Sequence, residues 1–253
     1  MGFKFGGQSI LNDLALYLDA SNPISYPGSG NVWFDISGRS NHFNLQNSPT
    51  NNGIGFSFNG SNQYANCQNT TCGNFGTGNF TIEYIVDYTT TTTYSTIIAK
   101  RGAVVSLGAG GYAGYIHRIG ATQFTIQDNI QTGTPSPPNG AVNTTGVQNF
   151  TSGIVVANER QHIIQTLNNN GTTMVGKLYK NGVLRSTAQY NYSNYNATIP
   201  GSVNNSNNIL LMLGPGTGTY LQGNLYFVRL YTKELSQLEI LNNYNSIRGK
   251  YGI

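Results

Sequence analysis

Charge is what this chain most lacks. Only 9% of its residues are Asp, Glu, Lys or Arg, against about a quarter in ordinary globular domains. The 13 basic residues outnumber the 9 acidic ones, but they are spread thinly, and Lys100-Arg101 is the longest basic run. Without a basic cluster, neither nucleic acid nor an anionic membrane surface is an expected partner. Long apolar runs are missing as well. No stretch approaches the roughly 18 apolar residues of a spanning helix, so no membrane insertion is expected. The opening Met1-Gly-Phe-Lys-Phe-Gly-Gly lacks the apolar core of a secretory signal. The expectation is therefore a protein that works where it is made or leaves the cell by lysis. Cysteine is scarce, with two residues in the run Cys67-Gln-Asn-Thr-Thr-Cys72. They read either as reduced thiols or as a small-loop disulfide formed in an oxidising medium. No second Cys or His pair completes a metal site.

Aromatics and glycine are abundant: 17 Tyr, 11 Phe and 32 Gly among 253 residues. Disorder usually comes with high net charge and few aromatics, so ordered β structure with tight turns is the better reading. A chain of this length buries roughly three quarters of its unfolded surface without a covalent staple. Apolar and aromatic runs recur between Asn/Gly/Thr clusters. Strands are predicted at 14–19, 55–58, 80–87, 95–100, 114–119, 123–128, 162–167, 173–180, 183–188, 209–213 and 224–231. No crossover helix separates them, which favours a sandwich over a parallel sheet. Asn181-Gly182 reads as a two-residue hairpin turn, since both positions favour positive φ, and Asn169-Asn-Gly171 reads as a second turn. The spans 133–153 and 190–208 read as long loops. Near the end, Ser236 stands three residues before Glu239, a capping box that starts a helix. Leu238, Leu241 and Tyr244 or Asn245 then follow at helical spacing as its apolar face.

Several ordered blocks resemble laminin-G-like, concanavalin-A-like jelly-roll domains. They are Leu16-Tyr-Leu-Asp-Ala-Ser-Asn-Pro; Tyr26-Pro-Gly-Ser-Gly with Trp33-Phe-Asp-Ile-Ser-Gly; Phe56-Ser-Phe-Asn-Gly-Ser-Asn-Gln-Tyr64; Phe80-Thr-Ile-Glu-Tyr; Leu178-Tyr-Lys-Asn-Gly-Val; and the closing Gly223–Tyr244 segment. The resemblance implies an all-β concanavalin-A-like β-sandwich (jelly roll) with a short C-terminal helix. It gives one domain over residues 9–253, preceded by an N-terminal arm at 1–8. The opening blocks resemble the version found in phage and large-virus structural proteins. Two departures matter. Asn59 and Gln63 replace the acids of the Phe56–Tyr64 block, and Tyr226 and Phe227 stand where acids are common after the last Gly-x-Ile. Where relatives bind calcium they use carboxylates and carbonyl oxygens, so the amides weaken that carry-over and no cofactor is expected.

Catalytic carboxylates are hard to assemble. Glu83 and Asp87 lie four residues apart on one strand, about 13 Å along the same face. Glycosidase carboxylates sit about 5–5.5 Å or 6.5–9.5 Å apart. The Glu-x-Asp-x-x-Glu cluster of related-fold laminarinases fails at Ile85. No Gly-x-Ser-x-Gly occurs, and His162 reads as a packing or surface residue. Asp35 reads as an Asx turn holding its loop, with a metal ligand or sugar acceptor as the alternative. Two groups of residues suit sugar recognition, which uses an aromatic face and nearby amides. One is Tyr115 and His117 on one strand face with Tyr112 before them. The other is Tyr190, Tyr192, Asn194 and Tyr195 in a loop. Core or inter-subunit packing is the alternative for both.

The expectation is a non-enzymatic virion surface protein, such as a fibre, spike or capsid-decorating subunit, with a glycan-binding face. Its partners would be other virion proteins, copies of itself and host-surface glycans. Its location would be the virion surface after synthesis in the host cytoplasm, or extracellular. A free carbohydrate-binding lectin domain is the alternative, and a glycoside hydrolase is disfavoured.

Overall fold

The computed structural model describes residues 9–89, 95–101, 114–119, 126–131, 145–149, 154–169, 173–191, 203–214 and 219–253. The strands in chain order are β1 (Leu14–Asp19), β2 (Val32–Trp33), β3 (Phe43–Gln46), β4 (Thr50–Asn51), β5 (Phe56–Asn59), β6 (Tyr64–Cys67), β7 (Phe80–Tyr88), β8 (Ser95–Arg101), β9 (Gly114–Ile119), β10 (Ile126–Gln131), β11 (Thr145–Asn149), β12 (Gln161–Asn169), β13 (Thr173–Lys180), β14 (Val183–Asn191), β15 (Leu210–Leu211) and β16 (Gln222–Tyr231). One helix, α1 (Gln237–Tyr251), follows them. The first sheet runs β14-β13-β12-β7-β16-β5-β4, with β1 also paired to β16; the second runs β11-β10-β9-β8-β15-β6-β3-β2. Every strand pairing is antiparallel, as the all-β sandwich reading requires.

Period-two alternation explains the main core. In β5, Phe56 and Phe58 are buried while Ser57 is not. In β7, Phe80, Ile82, Tyr84, Val86 and Tyr88 join the same cluster as Leu16, Leu18, Leu225, Val228 and Leu230. The second sheet supplies Trp33, Phe43, Ala65, Ile98, Tyr115, Ile119 and Leu211 to it. The inner faces of the two sheets therefore close one core. Asn181 (φ 51°) and Gly182 (φ 77°) both hold positive φ between β13 and β14, the geometry of a two-residue hairpin turn. Cys67 and Cys72 are free, buried thiols, and Cys67 Sγ lies 3.9 Å from the Asn41 carbonyl oxygen.

The outer face of the first sheet is divided in two. A register shift between Leu225 and Phe227 against β7 marks a β-bulge. It places Tyr226 and Phe227 together in an outer cluster with Ile85, Ile247 and Tyr251, as an extra residue in one strand does. On the β1 side of the bulge, α1 covers Leu14, Ile164, Tyr179, Tyr231 and Leu235 through Ile240. The helix starts as predicted. Ser236 Oγ accepts the Glu239 N–H, and the Glu239 carboxylate accepts the Ser236 N–H at 2.8 Å. It ends at Gly252 in the left-handed conformation, a conformation that suits glycine. Its buried face differs from the prediction. Ile240, Asn243, Ile247 and Tyr251 face the sheet, while Leu238 and Leu241 are exposed. The span 133–153 is also corrected, because β11 lies within it. The second predicted turn at 169–171 and the N-terminal arm at 1–8 fall largely or wholly outside the described residues.

Candidate functional site

Under α1 lies a buried polar cluster centred on Glu83. Its Oε1 is 2.8 Å from His162 Nε2, and its Oε2 accepts from the Tyr231 hydroxyl at 2.7 Å and from Asn243 Nδ2 at 3.0 Å. Arg229 Nη1 lies 3.6 Å from the same oxygen, and its guanidinium rests 4.3 Å above the Tyr17 ring. Burial alone would raise the Glu83 pKa, yet Arg229, His162 and Tyr231 together hold its carboxyl below the usual range. Glu83, His162, Arg229 and Asn243 are all closed to solvent. Their chemistry is the docking of α1 onto the sheet, and Asn243 explains why the helix turns that face inward. Of the packing or surface roles expected for His162, its burial corresponds to packing.

Beyond the bulge the same sheet face is open. Thr50 pairs with Ser57, Ser57 with Asn224, and Asn224 with Asp87. These four side-chain positions form a polar row across β4, β5, β16 and β7, with neighbours about 4.8 Å apart. They line a cleft of 560 Å³ together with Asn158 and Gln222. Gly223 makes the cleft floor by close approach: a Cβ there would lie 2.6 Å from Tyr88 Cα and would also meet the Asp87 carbonyl oxygen. Asp87 Oδ1 accepts from Asn224 Nδ2 at 2.6 Å. Its Oδ2 accepts from the Tyr226 hydroxyl and lies 3.9 Å from Arg160 Nε. Arg160 is itself committed. Its Nη1 donates to the Tyr251 carbonyl at 2.6 Å, and its guanidinium lies 4.4 Å over the Tyr226 ring.

Asn59 and Gln63 also line this cleft. Asn59 Oδ1 accepts the Ser61 N–H at 2.9 Å, and Gln63 Oε1 accepts the Asn59 N–H at 2.9 Å. Gln63 Nε2 donates to the carbonyls of Asn47 and Ser48, both at 3.0 Å. A carboxylate cannot donate to those carbonyls, and a calcium ion needs acceptors on every side. The amide therefore fills this corner by itself, and these residues do not fit a calcium ion. Among the described residues, no three His, Cys, Asp or Glu side chains group to hold a metal, and no helix is long and apolar enough to cross a membrane.

The predicted sugar-binding residues fare differently. Tyr115 and His117 do share one strand face, but it is the inner one. Both are fully buried, with Tyr115 5.5 Å from Phe80 and His117 5.8 Å from Tyr84 between ring centres. Burial pushes the His117 pKa down to about 3. They are core residues, because β9 lies inside its sheet between β8 and β10 and its alternation carries them inward. Tyr190 lies in β14 opposite Met174, and its side chain is outside the described residues, as are Tyr112, Tyr192, Asn194 and Tyr195. Lys100 is no surface charge either. It is buried, donates to the carbonyls of Thr70 at 2.7 Å and Asn207 at 2.8 Å, and is pushed by burial to a pKa of about 8. Asp35 forms the expected Asx turn, accepting the Ser37 N–H at 2.9 Å. It also accepts from the Ser37 hydroxyl and from the Tyr17 and Asn41 N–H groups. Sequence reading missed the cleft. Its one signal was the polar Ser57 between two buried Phe residues; the register that aligns it with Asn224 and Asp87 is not written in any single strand.

A family profile for the concanavalin A-like lectin/glucanases superfamily matches residues 59–241. The chain belongs to that superfamily. Sequence comparison with curated proteins gives no match. Among solved structures, this superfamily member is similar to the Botulinum neurotoxin serotype D binding domain, at 16% identity and a TM-score of 0.61 over 93% of this chain and 51% of that one. It is similar to the binding domain of Paraclostridial Mosquitocidal Protein 1, at 14% identity and a TM-score of 0.59 over 93% and 52%. It is also similar to Trypanosoma rangeli sialidase in complex with sialic acid, at 16% identity and a TM-score of 0.57 over 92% and 33%. The chain thus spans about a third of the sialidase chain and half of the two toxin chains. Identities this low show a shared fold alone. These neighbours correct the expectation of a virion surface subunit: the fold is met in sialidase and toxin binding-domain chains, and a lectin-like fold is what stands.

Proposed function

We propose that this superfamily member is a non-enzymatic, lectin-like module that binds a glycan in the open cleft on the first sheet. The observation that carries this reading is the row Thr50–Ser57–Asn224–Asp87, which sets hydroxyl, amide and carboxylate groups side by side on a rigid sheet. Sugars are bound through such donors and acceptors when they are preorganised. The two toxin neighbours are binding domains, which supports the same direction. Hydrolysis finds little support here. The usual retaining and inverting mechanisms take two carboxylates, whereas Asp87 is the one carboxylate among the described cleft residues and Glu83 is sealed beneath α1.

Phe58 and Tyr88 line the cleft but belong to the core, so sugar stacking contributes little. Single-site affinity is expected to be weak, about millimolar, or roughly 4 kcal/mol, and would be raised by multivalent display. A glycan array on the full chain tests the reading. Binding should appear and fall at least fivefold in Asn224→Ala, a variant whose thermal midpoint is checked alongside. Unchanged binding in that variant would move the site elsewhere. Release of reducing sugar from any bound glycan would overturn the non-enzymatic assignment.

A further inference from the structure

Resting on the glycan-binding reading of the cleft, we infer that its ligand is an uncharged, hydroxyl-rich saccharide and that carboxylate-bearing sugars are excluded. Among the described lining residues, Asp87 supplies the only charged side chain. Its carboxylate is about one-fifth exposed. The nearest cation, Arg160, stands at the start of β12, on the far side of Asp87 from Asn224, because Gln161 pairs with Val86 across β7. A ligand seated on Ser57 and Asn224 therefore meets the Asp87 carboxylate before it meets Arg160. Arg160 is also held by the Tyr251 carbonyl and the Tyr226 ring, so turning it toward the cleft would break both contacts.

What remains available is neutral. The side chains of Thr50, Ser57, Asn158 and Gln222 line the cleft, and none is tied to another side chain among the described residues. Asn224 uses its amide nitrogen on Asp87 and keeps its carbonyl oxygen as an acceptor. These groups donate and accept in close alternation, which suits sugar hydroxyls, since each hydroxyl does both. A carboxylate only accepts. It would leave the acceptors unmatched and bring a second negative charge up to Asp87 on the side away from Arg160, a pairing that selects against the wrong ligand. Among its described lining residues the cleft has no cation of the kind on which recognition of an acidic sugar relies.

The test uses matched glycans on the full chain: neutral oligosaccharides and the same oligosaccharides capped with sialic or uronic acid at the end contacted. Neutral forms should bind and capped forms should bind at least tenfold more weakly. Asp87→Asn should raise binding of the capped forms toward that of the neutral ones. If Asp87→Asn proves unstable, Thr50→Lys on the edge strand serves instead, because it adds a cation without touching Asp87 and should produce the same gain. Capped glycans bound as well as or better than neutral ones by the unaltered chain would overturn this inference and leave the glycan-binding reading standing. No glycan bound at all would overturn both.

Discussion

Glu83 and Asp87 occupy the same face of the same strand and do opposite things. Glu83 is closed under α1 and matched by His162, Arg229, Tyr231 and Asn243, whereas Asp87 looks into an open cleft. Truncating a member of a buried charged network costs about 3–5 kcal/mol, because its partners stay buried and unmatched. The acid response has two sources: carboxyls held low in the fold, Glu83 with Asp19 and Glu239, and the buried His117. Glu83 is held below its unfolded value of 4.5, so its stabilising contribution is complete above that pH. It is lost as the pH falls, because the unfolded chain takes up the proton first. His117 is pushed to about 3 from 6.5 by burial. The unfolded chain protonates near 6.5 while the native one stays neutral, so stability also declines from 6.5 downward. Urea midpoints at pH 8, 6, 4.5 and 3 should fall in two stages. His117→Gln should flatten the stage between 6.5 and 4.5 and make the fall below 4.5 shallower, leaving there the part due to the carboxylates. An unchanged upper stage in that variant would contradict this assignment. Neither role was legible from sequence, because alternation told which residues share a face but not which face is covered.

The bulge at Tyr226 and the start of α1 show which local signals survive folding. The capping box was readable because both its partners lie within four residues. Ser236→Ala should cost about 1 kcal/mol, read as a lower thermal midpoint with the fold retained; no change would mean that the helix end is held by Lys233 and Asp13 instead. The buried face of α1 was not readable. Leu238 and Leu241 look apolar on the helix, yet Asn243 turns inward because Glu83 and the Ile10 N–H meet its amide. A distant polar partner outweighed local hydrophobicity there. Strand β11, Thr-Gly-Val-Gln-Asn, escaped detection for a related reason. An edge strand of mixed polarity carries no clean alternation. The bulge itself puts Tyr226 and Phe227 on one face, and so separates the helix-covered half of the sheet from the open half.

Antiparallel sheets packed face to face fit the low charge of the chain. Two sheets of alternating residues need apolar inner faces, and their outer faces can be Asn, Ser and Thr as readily as charged residues. This architecture was legible from strand spacing, hairpin chemistry and the ordered family blocks. The cleft was not, since it arises from register across β4, β5, β16 and β7, and its Thr50 and Asn224 lie 174 positions apart in the chain. Sequence reading instead pointed to aromatics, and Tyr115 and His117 proved to be core. The most direct test of the cleft as the binding site is amide chemical-shift mapping of the full chain with the strongest glycan from the array. Shifts are predicted at Ser57, Asn59, Thr89, Asn158 and Gln222–Asn224. Shifts confined to Tyr190, Tyr192, Asn194 and Tyr195, with that row unmoved, would contradict the account.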